Sequence, residues 1–143
     1  MQWTRVSLST PERLFSIVYN VAGATVTSNY PVVWDITSSV DGIRVSKPAS
    51  ATLSLIVGIA TADISDSAYG KIQCYGYRAS AFVTNDTSQA VAAGDILIPV
   101  NAQWHLARSA ASDGKSGFLY AAAAVATATT PAAANVKVLI RCL

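Results

Sequence analysis

The side chains that could do chemistry are few in this 143-residue chain, and their spacing matches no known catalytic arrangement. The single histidine, His105, lies in an apolar, strand-like run beside Trp104. A general base needs a nucleophile within reach, and no Gly-x-Ser-x-Gly elbow is present. We therefore interpret His105 as a hydrogen-bonded strand residue, and we expect no enzymatic activity, no cofactor and no small-molecule substrate.

Metal and phosphate sites are equally unsupported. Asp63 and Asp66 could hold calcium together with backbone oxygens, but two acids in such a turn are more typical of a solvated loop. The Gly-Lys-Ser sequence at 114–116 resembles the end of a phosphate-binding loop. However, that loop needs a glycine at position 109, where this chain has Ser109. We predict a hairpin turn there and no metal site.

The two cysteines, Cys74 and Cys142, are most simply buried thiols. The first residues contain no apolar signal core, so we do not expect secretion. A disulfide between the two cysteines is the alternative, and a reducing compartment argues against it.

The composition points to a surface that is covered by partners. Hydrophobic residues make up 52% of the chain and charged residues 13%, and the mean hydropathy is +0.38. Soluble domains usually carry about 25% charged residues. The charge-free run 48–62 is too short to span a membrane, and the longer run 116–136 is interrupted by Pro131. We therefore expect an oligomer or lattice protein and no membrane partner.

Nucleic acid is not an expected partner either. The net charge is +2, and the ten basic residues are scattered along the chain without forming a stripe.

Turn signals recur at short intervals between runs of β-branched and aromatic residues, which predicts an all-β fold: a single-domain sandwich or barrel with short hairpins. No ten-residue stretch keeps a helical period. The alanine-rich stretch 121–126 is assigned to a strand because threonines and Pro131 follow it. The predicted strands are 14–21, 32–36, 43–46, 52–60, 70–77, 79–84, 95–100, 117–125 and 136–141.

A weak internal repeat accompanies this pattern. The segments 31–35, 42–45 and 55–60 have counterparts at 96–100, 105–108 and 118–123, about 63 residues further on in each case. Each series has a strand, a short hairpin strand, a polar turn and a long strand. Either the likeness is accidental or the fold contains two related β-units.

Two groups of residues are candidates for an interface. Tyr75 and Tyr77 should point to one face of a strand, with Arg78 beside them, and this arrangement suits a protein interface or a sugar platform. The rim of a core is the plainer alternative. The segment 1–11, which contains Trp3, Arg5 and Leu8, is interpreted as an N-terminal arm before a β-rich domain over 12–143. Trp3 could anchor this arm to a capsid protein or a neighbouring subunit, or it could close the chain's own barrel.

Several phrases, taken in order, resemble the capsid decoration (cement) proteins of tailed bacteriophages. They lie at 21–26, 30–35, 40–45, 48–53, 57–60, 68–76, 92–97 and 136–141, and they are turn-strand phrases without a catalytic signature. The resemblance implies a β-rich, usually trimeric protein that is made in the bacterial cytoplasm and lies on the outer surface of an icosahedral head. Its implied partners are the major capsid protein and its own copies, and its implied role is to brace the shell.

A different class of function is a carbohydrate- or receptor-binding β-domain of a phage fibre or tail. Such a domain would use Trp34, Tyr75, Tyr77 or Trp104 as stacking platforms, so their ring faces would have to lie in water.

Overall fold

The computed structural model describes residues 12–37, 40–84, 90–109, 118–125 and 133–142. These residues contain nine strands and no α-helix, which confirms the predicted all-β class. No helix in these ranges could therefore cross a membrane. The strands are β1 (Arg13–Asn20), β2 (Pro31–Trp34), β3 (Arg44–Ser46), β4 (Ile56–Ala60), β5 (Tyr69–Thr84), β6 (Ile96–Pro99), β7 (Leu106–Arg108), β8 (Leu119–Ala121) and β9 (Ala133–Arg141).

The nine strands form two closed five-stranded rings that share β5. Hydrogen bonding gives the order β1-β3-β2-β4-β5-β7-β6-β8-β9, and further pairings join β1 to β5 and β5 to β9. The first half of β5 closes ring one with β1 and β4, and the second half closes ring two with β7 and β9. The expected sandwich or barrel is thus a pair of small barrels.

The two rings are copies of one topology. In ring one β1 pairs with β3 in parallel and the other pairings are antiparallel, and the same holds in ring two for β5 and β7. The pair Trp34↔Val45 corresponds to Pro99↔Leu106. This match confirms the repeat that the sequence suggested, with shifts of 65 and 61 residues around the expected 63.

Loop hydrogen bonds repeat as well. In ring one Asn29 N donates to Ala60 O and Ala60 N to Tyr30 O, both at 2.9 Å. In ring two Gly94 N donates to Ala121 O at 2.7 Å and Ala121 N to Asp95 O at 2.8 Å. Asn29 and Gly94 both have positive φ, at 73° and 94°, as their shared turn requires.

Each ring encloses its own core. The ring-one cluster is built mainly from valines, whereas the ring-two cluster also contains leucines and takes in Val33, Ile56 and Ile59 from ring one. These three residues connect the two cores, so the rings are packed together as well as covalently joined.

β5 changes partners at Gly76, whose φ is 95°. A Cβ at this position would overlap the carbonyl oxygen of Glu12. The buried amide of Gln73 donates to the carbonyl oxygens of Tyr75 at 3.1 Å and Tyr77 at 3.0 Å, on either side of the glycine. Glycine and glutamine together therefore stabilise the bend through which one strand serves both rings.

Some predicted boundaries were wrong. Residues 52–54 form a turn, because Leu55 N donates to Thr52 O and Thr52 Oγ1 bonds to Ala49. The predicted strands 70–77 and 79–84 are one continuous strand. The alanine-rich strand ends at Ala121, where a bend follows, and residues 126–132 lie outside the described residues. The short strand β7 was not among the predicted strands, although the internal repeat included its residues as the segment 105–108.

Candidate interaction surface

The outer sides of ring one and ring two each carry an exposed patch along β1, β5 and β9, and we call these two patches together the basic apolar face. Within each patch the register places the members on the same side, because residues directly opposite in antiparallel strands share a face. The pair Ile17↔Lys71, with Phe15 two positions along β1, defines the ring-one patch. The pairs Tyr75↔Arg141 and Tyr77↔Leu139, with Lys137 next along β9, define the ring-two patch.

The apolar part of this face comes from strands that are hydrophobic on both sides. In β1, Val18 is fully buried inside ring one, whereas Ile17 is 58% exposed and Phe15 48% exposed. On β9, Leu139 is 43% exposed between the buried Val138 and Ile140. A half-buried strand normally has polar residues on its outer side, so this face has the character of a surface that a partner covers.

The charged residues on the strands of this face are all positive. Lys71, Lys137 and Arg141 are exposed on it, and the Lys71 ammonium lies 5.0 Å from the centre of the Phe15 ring. None of the nine strands contains an acidic residue. The ion pairs found among the described residues, Arg44–Asp41 and Arg108–Asp95, lie elsewhere. A complementary partner would supply carboxylates.

Tyr75 and Tyr77 contribute to this face, as their spacing predicted. Both rings are half-buried, and their cross-strand neighbours are Arg141 and Leu139. The Gln73 amide fixes the backbone of both tyrosines, so the pair is held in place by the bend of β5.

Arg78 makes its contacts inside the chain. Its guanidinium donates to Ser80 O at 2.7 Å, to Asn29 Oδ1 at 2.6 Å and to Ala60 O at 2.8 Å. Burial lowers the pKa of Arg78, and the neighbouring Arg13 lowers it further. The bonds to Asn29 and Ala60 connect the second half of β5 to ring one, a role that the sequence pattern did not indicate.

The tryptophans proposed as sugar platforms are partly covered. Trp104 stacks on Tyr30 with ring centres 5.6 Å apart, and the Lys47 ammonium lies 5.7 Å from the Trp104 ring. Trp34 packs against the core of ring one. The exposed aromatic rings are instead those of Phe15 and Tyr69, neither of which was a predicted site residue.

Burial is the main influence on the pKa values of the histidine and the two cysteines among the described residues. Burial lowers the pKa of His105, so its neutral form is favoured. Burial raises the pKa of Cys74, and burial together with Cys74 raises that of Cys142 to about 12. Both thiols are free, and Cys142 N donates to Cys74 O at 2.9 Å. Within the described ranges, no group of three His, Cys, Asp or Glu residues could hold a metal ion.

A second exposed apolar group lies at one end of ring one, and we call it the ring-one end. Val40 is 80% exposed and Tyr69 67% exposed, and Ile36 and Ile43 are exposed beside them. Tyr19 links the group, because its ring lies 5.0 Å from that of Tyr69 and its N–H donates to Ile43 O.

The predicted arm residues Trp3, Arg5 and Leu8 lie outside the described residues. The sequence analysis missed Phe15, Ile17 and Leu139. Their signal was available, because β1 has apolar residues at both odd and even positions, a pattern that indicates cover on both sides of a strand.

Comparisons with known proteins identify no family. No family model matches the chain, and no curated protein matches it. Among solved structures, the chain is similar to the N base of the head fibre protein gp8.5 of bacteriophage phi29, with 14% identity and a TM-score of 0.49 over 89% of this chain and 94% of the other.

Proposed function

We propose that this chain is a structural protein of a tailed bacteriophage, which binds the outside of the icosahedral head and stabilises the shell as a homotrimer without catalytic activity. The observation that carries the proposal is the basic apolar face. Its expected partner is a macromolecular surface, because the described residues of the face lie on open outer sides of the sheet. The sequence phrases that resemble decoration proteins supply the class of partner.

The chemistry of the face fits a shell protein that presents apolar side chains and carboxylates. Phe15, Ile17 and Leu139 would lose water on docking, which contributes roughly 25 cal/mol per Å² of apolar area removed. Lys71, Lys137 and Arg141 would pair with acids around that area. In a trimer three such faces bind together, so multivalency raises the overall affinity for the head above that of a single weak contact.

The direct test is co-sedimentation of the purified protein with heads assembled from the major capsid protein of the same phage. Wild-type protein should sediment with the heads and raise the temperature at which the shells come apart. The variants Ile17→Glu and Leu139→Glu should lose binding by more than tenfold, because each places a carboxylate in an apolar contact that faces acids. Ala51→Glu, at an exposed position in the β3–β4 connection, is the matched control and should bind normally.

Salt dependence tests the charge argument separately. Lys137→Glu should weaken binding at low salt and lessen its dependence on salt, because one screened attraction is lost. Wild-type protein that fails to sediment with the heads would refute the proposed function. Specific glycan binding in place of head binding would support the receptor-binding alternative.

A further inference from the structure

The two rings meet within the chain through a defined set of contacts. Tyr30 of ring one lies 5.4 Å from the Phe82 ring and 5.6 Å from the Trp104 ring of ring two, measured between centres. Ala102 N donates to Pro48 O at 2.9 Å. Ring two thus packs the end of β5 and its β6–β7 loop against ring one, at the turn before β2 that contains Tyr30 and at Pro48 after β3.

The repeat gives ring one the counterparts of these covering residues. Tyr19 corresponds to Phe82, because the register pairs Tyr19↔Tyr69 and Phe82↔Asn135 match. Ile43 corresponds to Trp104, since the next residue in each loop accepts an equivalent bond: Asp35 N donates to Arg44 O, and Val100 N donates to His105 O.

Within the described parts of the chain, the ring-one counterparts cover no other ring. Instead they belong to the ring-one end, where Ile43, Val40 and Tyr69 are exposed. Ring two in turn repeats the backbone turn that carries Tyr30, in its turn 92–95, where Asp95 stands at the position of Tyr30 and pairs with Arg108. As far as the described residues extend, each end of the molecule therefore presents one uncovered counterpart of the contact that the rings make inside the chain.

We infer that the ring-one end is covered by ring two of a second copy, in a head-to-tail contact that repeats the contact between the rings. Charge favours this occupant. The ring-one end carries the Asp41–Arg44 pair, at 2.8 Å, and the ring-two surface carries the Asp95–Arg108 pair, at 3.0 Å, so two neutralised surfaces meet. A two-fold contact between the ring-two patches of the basic apolar face would instead bring Lys137 and Arg141 of both copies together.

A head-to-tail contact joins two different surfaces, so it can close into a ring of copies. This inference rests on the self-association in the proposed function and not on head binding. Light scattering measures the first property and co-sedimentation measures the second, so failure of one is distinguishable from failure of the other.

Two variants, each defective at one end, provide the test. Val40→Glu alters the ring-one end and Ala93→Glu alters the ring-two turn, and both positions are exposed, so the fold should be kept. Wild-type protein and the Ala51→Glu control should have the mass of a trimer. Each variant alone should be monomeric. An equimolar mixture should give one dimer and nothing larger, because a single intact pair of ends remains.

Circular dichroism melts confirm that each variant is folded, and Ile43→Glu and Arg108→Glu provide a second pair. A monomeric wild type, variants that keep the wild-type mass, or a mixture that stays monomeric would each overturn the inference. A variant that dimerises alone would also overturn it, because that result indicates a two-fold contact.

Discussion

The structural role of Arg78 gives the sharpest prediction, because the sequence pattern placed this residue at an interface. In the structure its guanidinium donates three hydrogen bonds within the chain, to Ser80 O, Asn29 Oδ1 and Ala60 O. We expect Arg78→Ala to lower the free energy of unfolding and to leave head binding unchanged once the protein is folded.

The magnitude follows from the bonds. Hydrogen bonds that involve a charged group contribute about 1.5–3 kcal/mol each, but such terms are not additive. In the variant, Ala60 O would still accept a hydrogen bond from Asn29 N, and the guanidinium of the wild type is only half-buried. We therefore use the low end of the range for each bond. We expect a loss of about 3 kcal/mol. At about 4 °C per kcal/mol for a domain of this size, the Tm should fall by about 12 °C.

Urea unfolding followed by circular dichroism and by tryptophan fluorescence measures this loss. Arg78→Lys should recover less than half of it, because an ammonium cannot reproduce the planar fork of donors. Arg141→Ala, which removes an exposed arginine from the basic apolar face, should cost less than about 0.5 kcal/mol. If Arg78→Ala keeps the wild-type stability and loses head binding, the structural argument is refuted and the interface interpretation is correct.

Further predictions test other parts of the structure. Asn20→Asp should cost about 3 kcal/mol at pH 7, because a carboxylate would face the carbonyl oxygens of Ala24, Ile64 and Ser65, which the buried Asn20 amide now satisfies. The pKa of the new carboxyl should be raised in the folded state, so the cost in urea unfolding should shrink as pH falls. Gly76→Ala should cost about 2–4 kcal/mol through overlap with Glu12 O and a φ of 95°, whereas Gly23→Ala, with φ 70° and open space around it, should cost about 1 kcal/mol. Cys142, with its pKa raised to about 12, should resist iodoacetamide at pH 8 until urea is added, and fast labelling of the folded protein would contradict its burial. Burial raises the folded-state pKa of both thiols, so the unfolded thiols ionise first; stability should therefore fall as pH rises above about 9, and Cys142→Ala should lessen that fall.

The sequence by itself determined the class of fold and the existence of a repeat. Both are recorded in local patterns: β-branched runs between turn residues, and matching phrases about 63 residues apart. The same local alternation predicted that Tyr75 and Tyr77 point outward. It also indicated that Phe15 and Ile17 are apolar on the outer side of β1, which the sequence analysis did not use. The ends of the strands were predicted less accurately, because the turn at Thr52 and the bend after Ala121 depend on hydrogen bonds to neighbouring segments.

Only the tertiary structure decided how the repeat is used. That β5 serves two rings depends on Gly76 lying against Glu12, 64 positions away, and no local pattern indicates such an approach. Arg78 turns inward because its guanidinium donates hydrogen bonds to Asn29 Oδ1 and Ala60 O. Both acceptors belong to ring one and lie far from Arg78 in the sequence. Ile43 and Trp104 hold corresponding places, yet Trp104 packs on Tyr30 of the other ring, whereas Ile43 is exposed and meets no second ring among the described residues. Equivalent sequences differ in exposure when their neighbours differ, and those neighbours are set by long-range pairing.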